Sequence, residues 1–221
     1  MGQLDIRPFS KHRVKTQAID VAPFWRVVAP PADGAESIAE VGRTTRITIH
    51  PGAAFGDGTH ETTQLCLQAL AALAPRAAPG SGERYARNWR MLDFGAGSGI
   101  LAIAAAKLGA TVDAVEIDDH AIEETLTNAR SNGVSDLIRC ARSLEGCGTF
   151  DLIVANILCS VLLAFAEQLV SRLDRNGTLI LSGLVSTDVP EIAARYGALL
   201  GTRRPEVYEL NDWRALVWRS R

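Results

Sequence analysis

The residues best suited to chemistry in this 221-residue chain lie in three places. The first is Asp93-Phe94-Gly95-Ala96-Gly97-Ser98-Gly99, a glycine-rich run that follows a short apolar stretch and precedes Ile100-Leu101-Ala102-Ile103. The second is Glu116, which ends TVDAVE seventeen positions past Gly99. The third is Asn156, which follows the apolar run FDLIVA. Glycine lets a ligand approach the backbone closely and takes conformations closed to other residues. Where such a run joins a strand to a helix, the helix N-terminus offers unpaired N–H groups and a partial positive charge. In open parallel sheets, ligands gather at the carboxyl ends of the strands.

The details of the run narrow the ligand. A dinucleotide fingerprint needs G-x-G-x-x-G, but the sixth position from Gly95 is Ile100. No Gly-Lys-Ser or Gly-Lys-Thr follows, so a Walker-type phosphate loop is excluded. Asp93 beside the turn is poor company for a pyrophosphate and suits a cation. S-adenosylmethionine carries an ammonium and a sulfonium, and its carboxylate could face the helix N-terminus. The expected binding set is Asp93, Gly95, Ala96, Gly97 and Gly99 at the methionine end. Glu116, with Ile117 beside it, would accept from the ribose hydroxyls, and the loop at Arg142, Ser143 and Leu144 would meet the adenine.

These residues must be positioned by alternating strands and helices. Strands are predicted at residues 91–94, 111–116, 137–140, 150–155 and 178–181, with helices at 62–73, 99–108, 119–132, 160–173 and within 186–200. Asp118 or Asp119 caps the third helix and Gly133 stops it. Residues 206–210 and 214–218 flank Asn211-Asp212-Trp213 as a hairpin, where Trp213 and Trp218 are good cross-strand residues. The fold class is therefore α/β, a class I S-adenosylmethionine-dependent methyltransferase fold: a Rossmann-like seven-stranded sheet ending in an antiparallel hairpin. The stretch to about Arg46, broken by Pro8, Pro23, Pro30, Pro31 and Gly34, reads as irregular. We divide the chain into an extension or lid, residues 1–50, and a catalytic domain, residues 51–221.

Composition excludes other classes. Hydrophobic residues are 47% and charged residues 22%, which excludes a disordered polymer or a coiled coil. The net charge of −2 gives no electrostatic case for nucleic acid as an obligate partner. No apolar run approaches a membrane span and the N-terminus has no signal core, so the cytoplasm is the expected address. Cys66, Cys140, Cys147 and Cys159 form no C-x-x-C pair and read as free thiols.

Upstream of the glycine run lies Pro51-Gly52-Ala53-Ala54-Phe55-Gly56-Asp57-Gly58-Thr59-His60-Glu61-Thr62-Thr63, and downstream Asn156-Ile157-Leu158. With DFGAGSGILAIAAAKLGA between them, the chain resembles the PrmA-type methyltransferases of large-subunit ribosomal protein eleven, from about Ile6 to its end. The resemblance implies S-adenosylmethionine as the methyl donor and transfer to a protein amine. It also implies that the loop holding Phe55, Gly58 and Thr59 closes over the methyl donor, with Thr59 near its methionine part and Asn156 beside the reacting methyl. Full-length members of that family carry an N-terminal domain that grips the ribosomal protein. This chain starts almost at the catalytic domain, and Asp57 and Glu61 stand where the family usually has Thr and Pro. Those departures leave a small metabolite open as the acceptor, and a non-catalytic binding module as a third class.

Amine methylation requires a neutral amine, so a group near the methyl must hold it and help remove a proton. Asn156 supplies an amide oxygen, and His60, Asp57 and Glu61 are candidates to bind or deprotonate the acceptor. The plainer readings are a helix cap for Asn156 and a helix-start residue for His60. A metal held by His50, Asp57 and His60 lacks tight ligand spacing, so no metal is expected. N-I-L-C in place of N-P-P-Y disfavours a nucleic-acid base as acceptor. Phe24 and Trp25 either wall the pocket or pack a wandering segment. His12 and His120 read as solvent-facing, and Lys11, Arg13, Lys15, Arg203 and Arg204 as solvated surface.

Overall fold

A computed structural model describes residues 18–30, 44–74, 88–201 and 204–219. The basic cluster Lys11, Arg13 and Lys15, His12, the loop at 75–82 and Arg203 lie outside them. In chain order the elements begin β1 (Ile19–Val21), β2 (Trp25–Val28), β3 (Thr45–Thr48), α1 (Glu61–Leu73), β4 (Trp89–Phe94), α2 (Ile100–Lys107) and β5 (Ala110–Val115). They continue α3 (Asp119–Ser131), β6 (Ile138–Ala141), β7 (Phe150–Asn156), α4 (Cys159–Ser171), β8 (Leu173–Val185), α5 (Val189–Leu199), β9 (Glu206–Leu210) and β10 (Trp213–Arg219).

The main sheet has seven strands in the order β6-β5-β4-β7-β8-β10-β9. β6 through β8 are parallel, and β10 runs antiparallel to both β8 and β9. The central strands are apolar on both faces because both are covered. Met91, Val112, Leu152 and Ile180 join the α2 side chains on one side, while Leu92, Ile153 and Leu179 join α4 residues such as Leu162 and Ala166 on the other. α2 is buried all round and consists of Ala, Ile and Leu up to Lys107, as a helix without a solvent face must be.

The chain winds outward from β4 to β5 and β6, then returns to place β7 on the other side of β4. That reversal opens a crevice at the carboxyl ends of the strands. Register makes the crevice specific: Phe94 pairs with Val115 and with Ala155, so Gly95, Glu116 and Asn156 emerge side by side.

The N-terminal stretch departs from the expected irregular coil. β1, β2 and β3 form a second, three-stranded sheet, with β1 antiparallel and β3 parallel to β2. Each strand is only three or four residues, too short for alternation to show. Burial of Val21, Trp25, Val27 and Ile47 against α1 and α2 holds the sheet, and the Trp25 indole N–H donates to Leu67 O at 2.9 Å. Phe24 packs against the same core. β8 is also longer than expected, since its first half, Asp174-Arg175-Asn176-Gly177, has the composition of a turn. All four cysteines are free thiols, and among the described residues no helix is long and apolar enough to cross a membrane.

Candidate active site

The turn after β4 depends on its glycines. Gly95, Gly97 and Gly99 have φ of +82°, +54° and +79°, in the left-handed region that penalises a side chain. Space is closed as well: a Cβ at Gly97 would stand 2.5 Å from the Phe55 carbonyl oxygen, and one at Gly95 would stand 2.3 Å from Ile157 Cγ2.

The two acids chosen from the sequence flank this turn, but they serve it differently. Asp93 is buried beneath it, where Oδ2 accepts from Ala102 N at 2.9 Å. It thus caps α2 in place of Gly99, which has no side chain to do so. Burial pushes the Asp93 carboxyl up to about 7, the Ala102 amide opposing and Glu116 adding to the rise. Glu116 lines the open side. Its Oε2 accepts from Gly97 N at 3.0 Å, and its Oε1 accepts from Ile117 N at 2.7 Å and Asp118 N at 3.1 Å.

The anion site expected at this helix N-terminus is therefore largely spent inside the protein. The amides of Gly97 and Ala102 go to the two acids, Ser98 N goes to Phe55 O at 2.9 Å, and Ile100 N goes to Ser98 Oγ at 3.3 Å. What lines the open side of the turn is the Glu116 carboxylate, which favours a cation.

The loop from 51 to 60 folds onto this turn. Ser98 Oγ donates to Gly56 O at 2.6 Å, which with its amide bond to Phe55 O ties the two loops together. One face of α3 clips both. Thr125 Oγ1 donates to Gly97 O at 2.8 Å, Asn128 Nδ2 donates to Ser98 O at 2.8 Å, and Asn128 Oδ1 accepts from His50 N at 2.9 Å. Asn132 pairs in the same manner with both backbone groups of Thr48.

These elements enclose a cavity of about 1180 Å³. Of the sequence-chosen residues, Phe55, His60, Gly95, Ala96, Gly97, Glu116, Ile117, Arg142, Ser143, Leu144 and Asn156 line it. Asp57, Gly58, Thr59, Asp93 and Gly99 stand outside that lining. Asp57 is turned to its own loop, with Oδ1 accepting from Thr59 N at 2.9 Å and Thr59 Oγ1 at 2.6 Å. Backbone hydrogen bonding, and after it Asn211 Nδ2 donating at 3.0 Å, lowers the Glu61 carboxyl below the ordinary value. Phe24 and Trp25 also lie outside the lining.

His60 is both a helix-start residue and a cavity wall. It caps α1, with Nδ1 meeting Thr62 Oγ1 at 2.8 Å, and its ring stands edge-on between Phe55 and Trp213 at 5.1 and 4.8 Å. Asn156 does not cap α4; that position is Leu158, and no side chain caps it. Its Oδ1 is instead buried without a hydrogen-bond partner, as is Thr63 Oγ1. Among the described residues no group of His, Cys, Asp and Glu could hold a metal ion. His50 Nε2 is at 2.7 Å from Ser131 Oγ.

The sequence reading passed over Thr62, Thr63 and Trp213, all of which line the cavity. Helical spacing held a signal for the threonines, because a helix starting at Glu61 carries both in its buried first turn. Nothing local to Trp213 marks it. The hairpin brings it over α1 from the far end of the chain.

The strand order, the reversed crevice, the glycine turn and the acid after β5 together define a class I S-adenosylmethionine-dependent methyltransferase fold. The family model described as "Ribosomal protein L11 methyltransferase (PrmA)" matches residues 25–221, and the chain belongs to that family. Among curated relatives, the ribosomal protein L11 methyltransferase of an Exiguobacterium species is 35% identical over 91% of this chain and 59% of its own length. That of Xanthomonas axonopodis pv. citri is 43% identical over 76% of this chain and 52% of its own. The chain thus spans little more than half the length of these relatives. A crystal structure of ribosomal protein L11 methylase from Lactobacillus delbrueckii subsp. bulgaricus superposes with a TM-score of 0.75 at 31% identity, covering 92% of this chain and 99% of that one.

Proposed function

We propose that this chain is the methyl-transfer unit of an S-adenosylmethionine-dependent enzyme that methylates an amine of a ribosomal protein. The observation that carries this reading is the buried Asn156 amide oxygen without a partner, at the end of β7 and in the wall of the cavity. An unpaired buried acceptor costs about 1–3 kcal/mol, so it is retained where a ligand completes it. An amine N–H is such a ligand.

The cavity also fits the methyl donor. The open side of the glycine turn, where Glu116 stands, suits the ammonium and sulfonium, Glu116 also suits a ribose, and Ile117, Ser143 and Leu144 line a place for the base, with Asp93 supporting the turn from below. The second orphaned oxygen, Thr63 Oγ1, belongs to a buried residue that also borders the cavity. When bound, S-adenosylmethionine supplies a methyl group already activated on sulfur, so the protein has mainly to align the acceptor and keep water out.

The chain's own residues divide that work. Asn156 Oδ1 holds the acceptor nitrogen by its N–H and so orients the lone pair. Phe55, His60 and Trp213 form an aromatic wall beside it. Thr62 occupies Nδ1 of His60, which leaves Nε2 as the ring nitrogen that can meet the acceptor. Asp57 supports the loop through Thr59, and acts on the acceptor only if the loop turns. We also propose the division near residue 50, with residues 51–221 carrying the transfer and the preceding segment as an extension. A ribosomal protein as acceptor would put the activity in the cytoplasm.

The test is label transfer from methyl-labelled S-adenosylmethionine to isolated bacterial ribosomal protein L11, run beside a metabolite extract. Label in the protein supports the reading, and label confined to small molecules replaces it with a metabolite acceptor.

A further inference from the structure

We infer that Glu124, in the middle of α3, is a positioning residue that sets Phe55 over the cavity. The inference rests on reading that cavity as an S-adenosylmethionine site. The carboxylate reaches out of α3 to two successive amides of the incoming loop, with Oε1 2.9 Å from Ala53 N and Oε2 3.2 Å from Ala54 N. Carboxylate-to-amide bonds are among the stronger hydrogen bonds, and two on adjacent amides fix the direction of the chain as well as its place. Phe55 is the next residue.

On its other side Phe55 is held by Ser98, whose amide donates to Phe55 O and whose hydroxyl donates to Gly56 O. Phe55 is 53% exposed, so packing alone does not hold it. The place of the ring is then set from two sides, by Glu124 before it and Ser98 after it. Space agrees with this assignment. The Glu124 carboxylate lies over Gly52, where an added Cβ would meet Oε2 at 2.2 Å. Only a residue without a side chain at 52 lets the carboxylate reach the next two amides. The neighbouring Thr125 is tied to Gly97 O, so the turn of α3 that places Phe55 also touches the glycine turn.

A double-mutant cycle tests this, read as calorimetric affinity for S-adenosylhomocysteine, with no turnover required. Glu124→Ala and Phe55→Ala should each weaken binding about fivefold, as expected for one lost contact. Acting through one ring, they should weaken it no further together. Glu124→Gln, which keeps an oxygen for the two amides, should restore most of the affinity. If the alanine variant does not fold, Glu124→Met keeps the length, removes the acceptor and takes its place in the cycle. Additive losses, or a Glu124 variant that binds as tightly as the parent, would overturn the inference alone. A parent chain that does not bind S-adenosylhomocysteine overturns the reading of the cavity and this inference with it.

Discussion

The Glu116 carboxylate accepts the Gly97 amide at 3.0 Å, across the crevice between the ends of β5 and β4. The acid expected to meet a ribose is thus also a strut for the glycine turn. Its Oε1 carries two further amides, Ile117 and Asp118, which lead into the cap of α3. A ribose hydroxyl has to join this arrangement as a donor. That is possible because a carboxylate offers about four acceptor sites and three are used here.

Substitution of Glu116 should therefore separate two effects. Glu116→Ala should weaken S-adenosylhomocysteine binding by at least about tenfold, from the lost ribose contact and the loosened turn together. Glu116→Gln retains acceptor capacity for the amides and should fall between the parent and alanine. Calorimetry decides it, and unchanged affinity in the alanine variant would remove Glu116 from the site.

Two glycines with the same backbone conformation but different surroundings offer a second comparison. Gly97 and Gly133 both have positive φ, but a Cβ at Gly97 meets the Phe55 carbonyl at 2.5 Å while one at Gly133 meets nothing within 4 Å. Alanine at either should cost about 1–2 kcal/mol from the backbone alone. Gly97→Ala should cost a further ~1–3 kcal/mol, because the obstruction is backbone and cannot swing aside. Urea denaturation of the two variants measures the difference. Equal losses would mean that the Phe55 loop gives way freely.

Asp93 carries a prediction about pH. Burial lifts its carboxyl from an ordinary 3.8 to about 7. Between those values the native protein holds a proton that the unfolded chain has released. Stability from this group is therefore complete below about 4 and is lost as pH rises through about 7. Asp93→Asn cannot ionise and keeps an oxygen for Ala102 N. Its stability relative to the parent should rise from about pH 4 to about pH 7 and level off above that in matched urea titrations. Parallel stability curves would show that Asp93 is ionised throughout.

Much of this architecture is legible in the letters. FDLIVA and TVDAVE are apolar because both faces of β7 and β5 are covered, and a glycine or acid at a strand's end marks where the sheet stops. Strand ends in a parallel sheet share one edge, which is why Gly95, Glu116 and Asn156 meet. Thr59 and Asp57 looked equally suitable, but they precede α1 and bond to each other, while Thr62 and Thr63 lie on its buried first turn. Glu124, Asn128 and Asn132 form a stripe at helical spacing on α3. Such a stripe reads as solvated until the partner, an unpaired backbone edge at residues 48–54, is seen beside it. Trp213 depends on the packing of the closing hairpin, which no local pattern encodes.

The two orphaned oxygens yield the sharpest expectation, because stability and function should move in opposite directions. Thr63 Oγ1 is buried without a partner, so the folded protein loses the hydration of a hydroxyl and recovers nothing. Thr63→Val replaces it with a methyl of nearly the same shape and should stabilise the fold by about 1 kcal/mol in urea denaturation. If the hydroxyl waits for the ligand, the same variant should bind S-adenosylhomocysteine less tightly than the parent. Asn156→Ala should instead leave that affinity within about threefold while slowing methyl transfer by about 10²-fold or more, since its oxygen is assigned to the acceptor and not the methyl donor. A Thr63→Val protein that is both more stable and equally tight would make that hydroxyl a packing defect. Unimpaired transfer by Asn156→Ala would take the amide out of the reaction and leave His60 as the cavity-lining residue to examine next.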